Sequence, residues 1–313
     1  MRTARERAGA VVKAVVLRGS GGVWRVRDAA GAEHEVSLRG RVKQRASSKL
    51  VVGDEVDLER DARDGTWAIA EILPRRSRLA RRAPGGAHGE RVVAANVDQM
   101  VVVFAAAHPT PNARMLDRFL VIAAANDVPA RIVINKRDLV PNDARDVFSL
   151  YAAAGYPVHE TSVSTGQGLG ALRDVLSGRV SALTGPSGVG KSSLLNAMYP
   201  GLALRVGEIS RSVDKGRHTT VGATMHPLPD GGYVMDTPGL REVGVWNVAP
   251  YELDRCFPEF RRFIAECRFR DCRHHDEPGC AVRAAVEAGG VAIQRYDSFR
   301  RLMVELEAAP PNR

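Results

Sequence analysis

A chain of 313 residues, 44% hydrophobic and 26% charged, is long enough for two or three domains with buried cores. No run of 18 apolar residues offers a membrane span, and the basic start MRTARERAGA lacks the apolar stretch of a secretory signal, so the cytoplasm is expected and a membrane partner is not. The formal charge of +9 is uneven: residues 1–94 hold 20 Lys and Arg against 12 Asp and Glu, residues 95–245 hold 14 against 13, and residues 246–313 hold 11 against 11. A basic excess confined to the N-terminal third is the footprint of a surface for nucleic acid or another polyanion, although an Arg-rich composition alone would produce it too.

In chain order, residues 11–17, 23–28, 33–40, 55–60 and 67–73 alternate Val and Ile with charged residues, and Gly-rich turns separate them. That pattern predicts half-buried antiparallel strands. Short strands at this spacing suit an OB-fold barrel over 1–75, though spacing does not exclude another barrel topology. Residues 76–94 belong to a stretch of Pro, Gly and Arg that reads as a basic linker, either a solvated hinge or a strap on phosphates.

Over 95–245 the pattern changes. Apolar strands at 97–106, 130–135, 158–162, 179–185 and 233–239 alternate with helical periodicity at 112–127, 144–155, 169–176 and 192–199. This alternation predicts a parallel sheet with helices on both faces. Over 246–313 helical spacing returns, with Tyr296, Phe299, Met303 and Leu306 on one face, and the terminal APPNR is expected to fray.

Gly185-Pro186-Ser187-Gly188-Val189-Gly190-Lys191-Ser192 fits G-x-x-x-x-G-K-[ST] between an expected strand and an expected helix that opens Ser192-Ser193. Its glycines let backbone N–H groups converge on phosphate oxygens, Lys191 supplies charge to the β- and γ-phosphates, and the Ser192 hydroxyl can ligate Mg²⁺. Downstream, Asp236-Thr237-Pro238-Gly239 follows a strand, placing a carboxylate to hold Mg²⁺ through water and the Gly239 N–H to sense the γ-phosphate. Between them, Thr219 or Thr220 in KGRHTT could complete the magnesium shell.

Upstream of all these lies Asn135-Lys136-Arg137-Asp138. Asp138 can accept hydrogen bonds from guanine N1–H and N2–H₂, a donor pair that adenine lacks, so an ATP-dependent enzyme is disfavoured. Asn135 would meet the O6/N7 side of the base or tie the loop together, and the Lys136 stem would cover the ring. A second loop, Thr161-Ser162-Val163, ends the next strand and could offer a backbone N–H to O6. Base reader, second base loop, phosphate loop and D-x-x-G in this order make a circular permutation of the usual GTPase arrangement. The permutation connects the D-x-x-G loop directly to 246–313, so nucleotide state could move that segment.

All four cysteines fall late: Cys256, Cys267, Cys272 and Cys280. Cys267, Cys272 and Cys280, with His274 or His275, make a closed set of three thiolates and one imidazole for a structural Zn²⁺. Cys256 reads as a small buried hydrophobe.

NKRD, GPSGVGKSS, KGRHTT, DTPG and C-x4-C-x-H-x5-C in this order resemble the RsgA (YjeQ) family of ribosome small-subunit-dependent GTPases over nearly the whole chain. The resemblance implies an N-terminal OB-fold, a permuted P-loop GTPase domain and a mostly helical C-terminal zinc domain with His274 as the fourth ligand. It also implies binding of the small ribosomal subunit and its rRNA, a role in late maturation, and subunit-stimulated conversion of GTP to GDP. A monomer is expected. Val221 stands where the family often has a third Thr, and Val163 where Ala is commoner. Leu240 occupies the position after Gly239 that in many GTPases holds a water-orienting Gln, so slow intrinsic hydrolysis is expected. His218 is then the best catalytic candidate beside Lys191, and the resemblance supports it, with rRNA contact or loop stabilisation as its alternative roles. The rival to a GTPase switch is a nucleotide-gated rRNA-binding scaffold in which hydrolysis is incidental.

Overall fold

The structure, a computed structural model, describes residues 11–39, 50–61, 65–82, 90–141, 148–202, 204, 223–236 and 248–308. Strands β1 (Val12–Ser20), β2 (Val23–Asp28), β3 (Glu33–Leu38), β4 (Glu55–Arg60) and β5 (Trp67–Ile72) close into a barrel of order β1-β2-β3-β5-β4. The β3–β5 pair is parallel and the others are antiparallel, which is the Greek-key OB arrangement. The alternation places Ala14, Val16, Val26, Val36, Val56, Leu58 and Ile69 inside. A register shift between Val16 and Arg18 lets Leu17 be buried as well, where it joins a core shared with the larger sheet.

The expected linker contains a hairpin. β6 (Arg78–Arg82) pairs antiparallel with β7 (Glu90–Ala95). Leu79, Ala80, Ala94 and Ala95 are buried, with Leu79 and Ala94 in the same core as Leu17 and Val52. Flanking arginines hide this strand from a composition reading. The hairpin also holds the barrel: Ala95 donates its N–H to the Val52 carbonyl at 2.9 Å, and the Asn96 amide donates to the Gly53 carbonyl at 2.9 Å. Gly53 has φ +88°, and a Cβ there would lie 2.1 Å from the Ala95 oxygen, so the approach requires glycine. Buried Asp54 accepts two bonds from Arg75 at 2.7 and 2.9 Å.

The larger sheet has the order β10-β9-β8-β11-β13-β12. It comprises β8 (Gln99–Ala105), β9 (Ala130–Asn135), β10 (Val158–Glu160), β11 (Val180–Thr184), β12 (Thr224–Pro227) and β13 (Tyr233–Asp236), all parallel except β12. Every residue of β8 is buried, as a central parallel strand requires. Helices Ala113–Ala125 and Ser149–Ala153 cover one face, and Leu169–Leu176 and Lys191–Met198 the other. Five strand ends, those of β8, β9, β10, β11 and β13, therefore open on one edge.

The C-terminal segment packs short helical turns and the helices Arg261–Ile264, Ala281–Glu287 and Ile293–Ala308 around Phe257, Phe260 and Phe299. Tyr296, Phe299, Met303 and Leu306 are buried along the last helix, as their spacing predicts, and Val121 of Ala113–Ala125 enters the same core. Arg295, 1% exposed, bonds Asp117 of that helix and Glu259, at 2.7 Å, of its own segment. The rings of Tyr151, Tyr156 and Phe257 surround its guanidinium, and the Tyr151 hydroxyl donates to Asp117 at 2.9 Å. Among the described residues no helix is long and apolar enough to cross a membrane.

Removing one member of this buried cluster leaves carboxylates without a cation. Arg295→Met is expected to cost about 3–5 kcal/mol, read as a lower urea midpoint. Arg118→Ala, which breaks the part-exposed pair with Glu305, is expected to cost under about 1 kcal/mol. Equal midpoints for the two variants would remove the cluster from the stabilising interactions.

Candidate functional site

The phosphate loop leaves β11 and enters the helix Lys191–Met198. Two of its glycines are imposed by neighbours. Gly185 has φ +134°, with a Cβ position 2.0 Å from the Val103 oxygen, and Gly190 has φ +94°, with one 2.4 Å from Asn135 Nδ2. Val189 is fully buried and anchors the loop, whereas Ser187 and Gly188 lie exposed at its rim and Pro186 is half-buried. Lys191 is 2% exposed, and its ammonium donates to the Gly185 and Pro186 carbonyls at 2.9 and 2.6 Å. Ser192 is buried and Ser193 half-buried in the first helical turn.

The residues at the end of β9 that the sequence assigns to a base meet this loop directly. Asn135, 2% exposed, donates its amide to the Val189 carbonyl at 2.8 Å and accepts from the Thr161 hydroxyl at 3.3 Å. It thus ties the loop together, one of its two expected roles. Lys136, in a left-handed conformation at φ +60°, donates its ammonium to the carbonyls of Gly188, at 2.8 Å, and His108. Asp138 accepts a hydrogen bond from the buried Ser162 hydroxyl at 2.6 Å. The hydroxyls of Ser162 and Ser164 hold its carboxyl below the usual carboxylate range, so it stays ionised at neutral pH. Val163 packs its side chain on the core beneath. Asp236 ends β13 beside β11, opposite Leu183.

Asn135, Lys136, Asp138, Ser162, Gly185 to Ser193 and Asp236 therefore share one sheet edge. His218, Thr219, Thr220 and Gly239 lie outside the described residues. The edge can take a phosphorylated ligand at backbone N–H groups and a donor-bearing base at an ionised carboxylate. Sequence reasoning missed Ser164 and named Thr161 only as part of the second base loop, without its hydrogen bond to Asn135. Both parts depend on side-chain direction, which spacing does not report.

In the C-terminal segment Cys267, Cys272, His274 and Cys280 place their ligand atoms within 4.8 Å of one another. His274 Nδ1 lies 3.6 Å from Cys267 Sγ and 3.4 Å from Cys280 Sγ. Zinc bonds of about 2.3 Å to sulfur and 2.0–2.1 Å to nitrogen give a tetrahedral S···N edge of about 3.5 Å, so the donor set fits Zn²⁺ and has no fifth member for reactive water. Asp254 stands 3.3 Å from His274 Nε2, and the Tyr296 hydroxyl donates to the His274 carbonyl at 2.6 Å. His275 is exposed and engages Asp276 and Arg300 instead. Cys256 is buried outside the cluster, and burial pushes its thiol up to about 12. Neither Asp254 nor Tyr296 was visible as a partner of the site, because folding brings them from distant positions.

The carboxylate beside the imidazole sets which ring nitrogen faces the thiolates. Asp254→Ala is expected to weaken zinc retention about 10–100-fold, measured by competition with a chromogenic chelator. Unchanged retention would separate Asp254 from the metal site.

The RsgA GTPase family profile matches residues 72–246. A relative from Gemmatimonas aurantiaca, named small ribosomal subunit biogenesis GTPase RsgA, is 59% identical over 296 residues, covering 93% of this chain and 96% of its own. A relative of the same name from Chromohalobacter salexigens is 42% identical over 275 residues, covering 87% of this chain and 80% of its own. Among solved structures, YjeQ from Thermotoga maritima superposes with TM-score 0.80 at 33% identity, over 96% of this chain and 100% of that one. YloQ, described as a circularly permuted GTPase, superposes with TM-score 0.76 at 29% identity, over 99% of each chain.

Proposed function

The chain belongs to the RsgA GTPase family, and from that premise we propose a GTP hydrolase of small ribosomal subunit maturation whose turnover the subunit stimulates. The observation that carries this reading is the Asn135 bridge. It ties a loop suited to phosphates to the loop after β10, whose Ser162 holds the ionised Asp138 carboxylate, so one nucleotide can span both.

In this reading Asp138 accepts from the guanine edge, the Lys136 stem covers the ring and the Val163 backbone faces O6. The N–H groups from Gly185 to Ser193 cradle the phosphates. Lys191 shifts its donors from the loop carbonyls to the β- and γ-phosphate oxygens, where negative charge develops. Ser192 and, through water, Asp236 would hold Mg²⁺, with Thr219 or Thr220 completing its shell. When bound, that ion neutralises charge between the β- and γ-phosphates. Leu240 offers no hydrogen bond to a nucleophilic water, so His218 orients it once the subunit positions the loop. The zinc ion is structural and staples a small core. The protein acts as a monomer in the cytoplasm.

The barrel faces rRNA. Its basic excess is concentrated outside the strands: between β3 and β4 the sequence places Arg41, Lys43, Arg45 and Lys49 with no intervening acid. Neutralising these four is expected to reduce the salt slope of subunit binding by up to about 4, measured by titration across two salt concentrations. A slope equal to the wild type's would move the phosphate contacts elsewhere.

GTP turnover is the direct test. It is expected to rise on adding purified small subunits, and His218→Ala should lose that rise by about 10²–10⁴-fold with binding intact. Unchanged stimulated turnover would remove His218 from the chemistry. If a hydrolysis-deficient, GTP-binding variant leaves the particle as fast as the wild type does, the nucleotide-gated scaffold with incidental hydrolysis becomes the better reading.

A further inference from the structure

Asp138 does not stand alone at the base site. Ser162 Oγ lies 2.6 Å from Asp138 Oδ1, Ser164 Oγ lies 2.9 Å from Ser162 Oγ, and the Thr165 N–H donates to Ser162 Oγ at 3.2 Å. A hydroxyl has one proton and two lone pairs. An ionised carboxylate only accepts, so the Ser162 proton must point at Asp138. The Ser162 lone pairs are then left for the Thr165 N–H and the Ser164 proton. Where the two serine hydroxyls bond each other, Ser164 is therefore the donor and Ser162 the acceptor, and the Ser164 hydroxyl also helps to hold the Asp138 carboxyl down. Polarisation along such a chain strengthens its last bond.

The consequence is geometric. With Oδ1 engaged on one side by a directed donor, the carboxylate plane cannot swing freely. Each carboxylate oxygen has two lone pairs, so an Oδ1 that accepts from Ser162 can still accept from a ligand beside Oδ2. A base with two adjacent donors needs that plane fixed, because both bonds must form together. A base with one donor tolerates rotation.

We propose that Ser164 is a positioning residue for guanine specificity, fixing the Ser162 hydroxyl so that Asp138 meets both the N1–H and the N2–H₂ of the base. This rests on the guanine reading above and adds to it a residue whose own side chain need not touch the nucleotide. Ser164 is exposed, so truncating it leaves the fold's core unaltered.

The test compares GDP with IDP, which lacks the N2 amino group, by equilibrium binding to the full chain. Ser164→Ala is expected to weaken GDP about 3–10-fold, in line with one lost hydrogen bond, and IDP less than about 2-fold. Ser164→Thr, which keeps the hydroxyl, is expected to restore the GDP-to-IDP ratio. In turnover the change should fall on KM and leave kcat in place. Equal losses for GDP and IDP, or no loss for either, would overturn the proposal while the guanine reading stands. A wild-type chain that binds ADP as well as GDP would overturn the guanine reading itself, and this proposal with it.

Discussion

The nucleotide edge depends on one buried amide. Asn135 sits at the end of β9 and reaches two other loops, through the Val189 carbonyl of the phosphate loop and the Thr161 hydroxyl after β10. Its backbone carbonyl accepts from the Ala106 N–H at 2.8 Å, which brings in the end of β8. A buried amide left without these partners would carry its full desolvation penalty. The three loops are therefore held in one arrangement, and Gly190 must be glycine because Asn135 Nδ2 occupies the space a side chain would need. The constraint is spatial. It takes no account of which strand comes first in the chain, and this is why a permuted order can keep the site.

Around that edge the remaining parts are joined more tightly than a string of domains would be. The barrel meets the sheet through the hairpin, where Val52, Leu79 and Ala94 share a core with Met100 and Phe104 of the sheet domain. The C-terminal segment meets it through Val121 and through Arg295, whose partners Asp117 and Glu259 come from the two sides of the contact. Asp117 also binds Tyr151, and the chain from Tyr151 leads through Tyr156 into β10 and so to Ser162. The segment that holds the Cys₃His cluster is thus packed against the β9–β10 half of the sheet.

Much of this was readable from local pattern. Alternation gave the barrel strands because each places one face inward, and Gly, Lys and Asp spacing marked the site because backbone approach and charge leave few choices of residue. The β3–β5 parallel pairing that closes the barrel was not readable, since spacing alone carries no strand order. The hairpin was hidden because β6 reads Arg-Leu-Ala-Arg-Arg, in which only Leu79 and Ala80 are apolar. Arg295 reads in sequence as one more cation on a helix, and Asp254 as one more surface acid. Their meaning comes from partners that lie 178 and 20 residues away, Asp117 for the first and His274 for the second.

The order of the strands also matters while the chain is being made. β8 is flanked by β9 and β11, and its residues are buried throughout. β9 leaves the ribosome soon after it, whereas β11 begins only at Val180. At about 5–20 residues per second, the interval from Ala105 to Val180 lasts about 4–15 s. For that time the nascent half-sheet has an apolar strand with one unsatisfied hydrogen-bonding edge. Such an edge recruits other strands, so the interval is a window in which chaperones or the chain's own helices must shield it. Moving the base reader to the front leaves the finished site intact and gives the growing polypeptide a vulnerability that the unpermuted order places elsewhere.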